Sequence, residues 1–408
     1  MHIPVETIPL GDLEQRYARC RALLSQLQPG AGGLMTFSRT SIYHLTGTMG
    51  FGIFWLPREG KPLLRVRKGF ERACLESPHI AIAPFRSFGD LAGLAAEHGV
   101  PFSKTIAAEQ SSLPWSLADL LRKKLPDVVF SEADTALAQA RSIKTEWELG
   151  KMRLACAGHA KAVEEILPKK ISPGMSEMEI AQITIEVFFS QGSCGMTRMN
   201  NYGQEMSLGH VSVGENGNFP TFYNGALGCK GLHPAAPFLG CTGSIWKHNC
   251  LLTHDAGFCY EGYNSDKTLN YFAGSPEAIP AKVKKAHDLC REIEAAVSGK
   301  MKPGAIPSEL YRLSLDMAKT TEFADGFLGL GDSKVPFLGH SIGLCIDEWP
   351  VLAKNFDKPL QTGMTIALEP KIGLPGIGMV GVENTWEITE SGAACLSTTG
   401  RGEIICVE

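Results

Sequence analysis

The twelve cysteines contain no C-x-x-C pair, so neither a zinc knuckle nor a thioredoxin-type redox motif is encoded, and free thiols are expected. No stretch of 18 or more apolar residues occurs, which excludes a helix that spans a bilayer. The opening MHIPVETIPLGDLEQRY lacks the basic flank and apolar run of a signal peptide. A cytoplasmic protein without a membrane partner is the expectation. Positive charge is not in excess either: 39 Lys+Arg against 43 Asp+Glu leaves a formal charge of −4. Such a surface has no cationic surplus with which to displace counterions, so nucleic acid is not an expected partner. Charged residues reach only 20%, below the roughly 25% of an average soluble domain, which leaves apolar surface for a second copy to cover.

What is present is length and punctuation. At roughly 150 residues per domain, 408 residues make two or three domains, and 44 glycines mark a turn-rich chain. Up to about residue 140, the helix-spaced segment Leu13 to Leu27 precedes short apolar runs, GLMTFSR, FGIFWLP, PLLRVRK and DVVFSEA, bounded by Gly, Pro or Asp. This reads as an α/β domain. ARSIKTEWELGKMRLACAGHAKAVEEILP then reads as one long helix, opened by the Thr145/Glu148 capping box and stopped by Pro168. Ser176 and Glu179 repeat the device, and Gly192 closes that helix; another runs from Ala281 to Val297, ended by Gly299. The expected domains are 1–144 and 145–408. No cluster of His, Asp or Glu at catalytic spacing falls in the first, so the chemistry belongs to the second.

Two acidic hairpins carry that chemistry. In LLTHDAGFCYEGYNSDKTLNYF, the midpoint of Asp255 and Asp266 falls between Tyr260 and Glu261, so a hairpin turning there sets the two aspartates face to face. In GMTIALEPKIGLPGIGMVGVENTWEIT, Glu369 and Glu383 are centred on Gly376, inside a Leu-Pro-Gly turn. Carboxylates are usually solvated. These lie among apolar residues, however, and four buried, close carboxylates do not all ionise without cations. Two divalent cations would balance them. His340 in FLGHSIGL, flanked by glycines, supplies a nitrogen ligand, and an oxygen-rich set with one imidazole suits manganese first, or cobalt, iron or zinc. Two such ions generate hydroxide from a bridging water and polarise a carbonyl, which is hydrolase chemistry.

The order Asp255, Asp266, His340 in GHSIGL, Glu369 in LEP and Glu383 in VEN resembles the five-ligand signature of the M24 metallopeptidases. ARSIKTEWEL, GMSEMEI and SIYHLTG are similar to segments of the creatinase, prolidase and aminopeptidase P branch. The resemblance implies an α/β creatinase-like N-terminal domain, an α+β C-terminal domain of the pita-bread fold, a homodimer, and cleavage of the bond before proline in a small peptide. It also implies that Glu369, besides binding metal, carries the proton from water to the leaving nitrogen.

The chain departs from that pattern outside the ligands. Histidines expected around the metals are replaced by Pro336, four residues before His340, and by Asp347, seven after it. Where Pro-His-Tyr is expected stand Pro220, Thr221 and Phe222, and Gly381 stands in place of an arginine two residues before the last Glu. His233 is the remaining candidate for the lost oxyanion donor, and Asp347 for a proton carrier or amine anchor; each is equally readable as a plain loop residue. Three rivals remain to be weighed. Gly339-His340-Ser341-Ile342-Gly343 matches a nucleophile elbow, but no histidine follows it, so the serine-hydrolase order fails. A non-peptidase M24 enzyme acting on a small metabolite, ectoine-hydrolase-like or a lyase, is kept open by the altered histidines. A non-catalytic pita-bread binding protein generally loses the ligands retained here.

Overall fold

The computed structural model describes residues 5–201, 204–398 and 402–408. Two compact units divide the chain, 1–141 and 142–408.

The first unit is built on a six-stranded mixed sheet in the order Ala81–Pro84, Leu63–Lys68, Phe51–Pro57, Gly33–Thr36, Thr105–Ala108 and Val129–Glu132. The four apolar runs of the sequence are all strands of this sheet. Two more, AIAP and TIAA, are missed by pattern, because four residues rich in alanine carry little of the β-branched signal that marks a strand. Met35, Ile53, Trp55, Ile106 and Leu121 form the core, and the Trp55 indole N–H is satisfied by the Val100 carbonyl at 3.1 Å.

The second unit is α+β. One sheet has the order Glu348–Ala353, Phe337–Ser341, Thr365–Leu368, Asn384–Thr389 and Gly392–Cys395. A second runs Ile405–Val407, Tyr263–Ala273, Leu251–Tyr260 and Gly209–Val213, and Lys371–Leu374 pairs with Gly378–Gly381 as a separate ribbon. Helices Glu146–Ala160, Glu177–Ser190, Ala281–Ser298 and Pro307–Ala318 are packed by their apolar faces into two buried clusters. Both capping boxes form as expected. The long helix differs from expectation: the α-helix ends at Ala160, and Lys161–Ile166 continues as a π turn before a 3₁₀ turn that contains Pro168. Among the described residues no helix is long and apolar enough to cross a membrane.

The hairpin registers position the site. Glu261 and Gly262 both adopt positive φ, +48° and +93°, as a two-residue mirror-image turn requires. That turn moves the hairpin centre by one residue. Asp255 therefore pairs with Thr268 and Asp266 with Gly257, so the two aspartates are diagonal neighbours on one face rather than directly opposed. The second hairpin does turn about Gly376, and the pairs Leu368↔Asn384 and Lys371↔Gly381 bracket Glu369 and Glu383 on facing chains.

Candidate metal centre

Asp255 and Asp266 reach the site from the first hairpin, Glu369 and Glu383 from the second, and His340 from the strand Phe337–Ser341. All five line one cleft. Its walls are apolar, with Met199, Met206, Leu208, Tyr223, Leu227 and Ile346. The two hairpins are locked together at this point. Thr268 donates its hydroxyl to Glu383 Oε2 at 2.8 Å, and Thr385 exchanges hydrogen bonds with the Asp266 backbone at 3.0 and 3.1 Å.

Electrostatically the cluster is dominated by its carboxylates. Burial, with Glu383 and Asp255 nearby, pushes the Asp266 carboxyl well above the ordinary carboxylate range. Burial also lifts Glu383 to about 7, against the pull of Lys371. His340 goes the other way for an imidazole: burial disfavours its charge, but Glu369, whose Oε1 lies 3.5 Å from Nε2, and the charges of Asp266 and Glu383 raise it to about 10. Groups that hold protons so firmly are answering a negative potential.

The donors fit a divalent ion. One donor atom from each of Asp266, His340 and Glu383 lies within 4.8 Å of the others, and all three residues are buried. Glu383 Oε1 is buried and has no hydrogen-bond partner. Two carboxylates and an imidazole are a donor set for manganese, iron, cobalt or zinc. The rest of the expected ligand set is differently engaged. Lys371 Nζ lies 3.0 Å from Asp255 Oδ2, 2.6 Å from Glu369 Oε2 and 2.8 Å from Glu383 Oε2. Burial opposes its charge, yet Asp255, Glu369 and Glu383 hold the ammonium well above its ordinary value. In return Lys371 and His340 outweigh the burial of Glu369 and keep that carboxyl below its ordinary value.

Around this centre the secondary candidates separate. Asp347 lines the cleft, accepts the Asn200 backbone N–H at 2.7 Å, and has its carboxyl raised by burial. His233 is exposed, in a small hairpin where its Nδ1 accepts the Ala235 N–H at 3.1 Å, and it is absent from the cleft lining. The structure thus places His233 outside the cleft lining in which an oxyanion donor was expected. Pro336 is exposed, and Thr221 caps its own turn by accepting the Tyr223 N–H.

Sequence reasoning missed two residues. His210, on the strand Gly209–Val213, pairs with Asp255 across the sheet and lines the cleft. Its ring lies 5.3 Å from that of Tyr223, neither ring nitrogen has a hydrogen-bond partner, and burial lowers it to about 4, so the imidazole is neutral. The alternating HVSV run was the available signal. Lys371 was legible only as a lone charge in the otherwise apolar KIGL strand.

Comparison with known proteins agrees with this geometry. Residues 150–390 match the metallopeptidase family M24, and residues 16–143 match the creatinase/prolidase N-terminal domain. The Xaa-Pro dipeptidase of Pyrococcus furiosus is 26% identical over 363 residues, covering 88% of this chain and 92% of its own, and that of Pyrococcus horikoshii is 27% identical over the same length. The structure is similar to the X-Pro aminopeptidase of Thermotoga maritima, with a TM-score of 0.76 at 22% identity over 96% of this chain and 99% of that one. It also resembles the Xaa-Pro dipeptidase of Bacillus anthracis, with a TM-score of 0.78 at 21% identity over 97% and 100% of the two chains. The α/β unit is thus of the creatinase type and the α+β unit has the pita-bread fold, and the chain belongs to the metallopeptidase family M24.

Proposed function

We propose that this protein is a metal-dependent Xaa-Pro peptidase that acts on short peptides, dipeptides first, with Asp255, Asp266, His340, Glu369 and Glu383 forming its metal centre. The observation that carries this is the convergence of Asp266, His340 and Glu383, with an unpartnered Glu383 oxygen, at the floor of an apolar-walled cleft in an M24 chain. Relatives named Xaa-Pro dipeptidase over nine-tenths of their length support the substrate.

A divalent ion, manganese in our reading, would polarise the scissile carbonyl and acidify water. The chain's own residues supply the rest. Glu369, kept ionised by Lys371 and His340, accepts the proton of the attacking water and passes it to the leaving proline nitrogen. Neutral His210, with both ring nitrogens free and one of them carrying a proton, donates to the developing oxyanion. Asp347 at the same cleft anchors the substrate amine. Met199, Met206 and Tyr223 offer apolar surface to a pyrrolidine ring, which burial favours. The free thiols suit a reducing cytoplasm, and the exposed apolar side chains of the second unit suit a homodimer.

The test is hydrolysis of a panel of Xaa-Pro dipeptides and Xaa-Pro-Yaa tripeptides by protein loaded separately with manganese, cobalt, iron or zinc, beside matching Xaa-Ala peptides. Cleavage restricted to proline peptides, and faster for dipeptides, is expected. Absence of cleavage across the whole panel replaces the peptidase with an M24 hydrolase or lyase of small metabolites.

A further inference from the structure

We propose that this centre takes a single divalent ion, held by Asp266, His340 and Glu383, and that the Lys371 ammonium permanently fills the place of a second. The inference rests on reading the cluster as a metal centre but not on the proline substrate.

Lys371 belongs to the centre's construction. Its Nζ is within 3.0 Å of three carboxylates from both hairpins, and its side chain is 1% exposed. The contacts with Glu369 and Glu383 are charge-assisted hydrogen bonds, and the contact with Asp255 is an ion pair, so the ammonium is tied to all three carboxylates. A second ion would need oxygens of Asp255, Glu369 or Glu383 that Lys371 already occupies. To release them, the ammonium would have to stay buried without partners or give up its proton, so a second ion competes directly with Lys371.

The opposite strand is shaped around it. Lys371 pairs with Gly381 in the ribbon, and a Cβ built on Gly381 would stand 2.7 Å from Lys371 Cγ and 2.7 Å from the Pro370 carbonyl. Only glycine leaves the lysine stem this path. Gly381 is also the position at which the M24 resemblance leads one to expect arginine, so a cation absent from one strand of the ribbon is present on the other. The bridging hydroxide expected from a two-ion centre then has no place here.

Metal stoichiometry decides the matter without reference to activity. Wild-type protein dialysed against excess manganese should retain one ion per chain by elemental analysis and show the paramagnetic resonance spectrum of an isolated ion. Lys371→Ala, folded in the presence of manganese, should retain two and show a spin-coupled pair, while Lys371→Arg should retain one. Two ions in the wild type overturn the inference, as does one ion in both the wild type and a Lys371→Ala protein of native circular dichroism. No bound ion in the wild type overturns the metal-centre reading itself. Should Lys371→Ala not fold, the wild-type count and spectrum still decide between one ion and two.

Discussion

At the scale of single residues, the centre divides into groups that the chain presents locally and groups that arrive from afar. The carboxylates and His340 announce themselves by spacing, because each pair belongs to one hairpin and hairpin geometry is local. His210 has no such neighbour in sequence. It enters the cleft only because its strand pairs with Asp255, and that register is a tertiary fact. The contrast with His233 is testable. An oxyanion donor is typically worth about 10²–10³ in turnover, so His210→Ala should lower kcat on the best Xaa-Pro substrate by about that factor. His233→Ala should leave kcat within about threefold, since its ring bonds only to its own turn. Parallel kinetics of the two variants, with thermal melts to confirm folding, check this, and a large loss at His233 alone would reverse the assignment.

At the scale of elements, capping signals were the most legible feature. Thr145/Glu148 and Ser176/Glu179 each close a reciprocal pair of hydrogen bonds, because the residues involved are only three apart and need no tertiary context. Glu179 also ties the second helix to pH. The Ser176 backbone N–H and hydroxyl both donate to its carboxylate, and this holds the group below its ordinary value. A carboxyl lowered on folding stabilises the native state fully above the unfolded value and loses that contribution as pH falls through the folded one. Glu179→Gln should therefore destabilise the protein near neutrality and weaken the fall in stability on acidification. Urea midpoints measured from pH 7 down to pH 3 for both proteins test this; parallel curves would remove Glu179 from the acid response. What the elements concealed was termination. The π turn at Lys161–Ile166 lies inside a segment of good helix formers, and nothing in their propensities marks it.

At the scale of the whole molecule, the second unit leaves apolar side chains in solvent, among them Phe222 at 70% exposure, Phe189, Leu154 and Leu232. Together with the modest charged fraction, these leave apolar surface of the kind that a second copy covers. A dimer at micromolar concentration is expected by sedimentation velocity, and Phe222→Ser is expected to shift the equilibrium towards monomer. A single monomeric species across that concentration range would contradict the homodimer.

The sequence by itself determined the α/β class of the first unit, the helix starts and the turn about Gly376, since each depends on periodicity or spacing within a few dozen residues, and it singled out the five candidate metal ligands by their place in two hairpins and one glycine-flanked strand. Only the tertiary structure decided that Asp255 and Asp266 sit diagonally, that His210 rather than His233 faces the cleft, and that Lys371 reaches three carboxylates of two hairpins. These depend on which two-residue turn sets a register and on which strands become neighbours. A one-residue displacement of a turn centre is invisible in composition, yet it shifts every cross-strand pair by two residues, and long-range electrostatics follows those pairs.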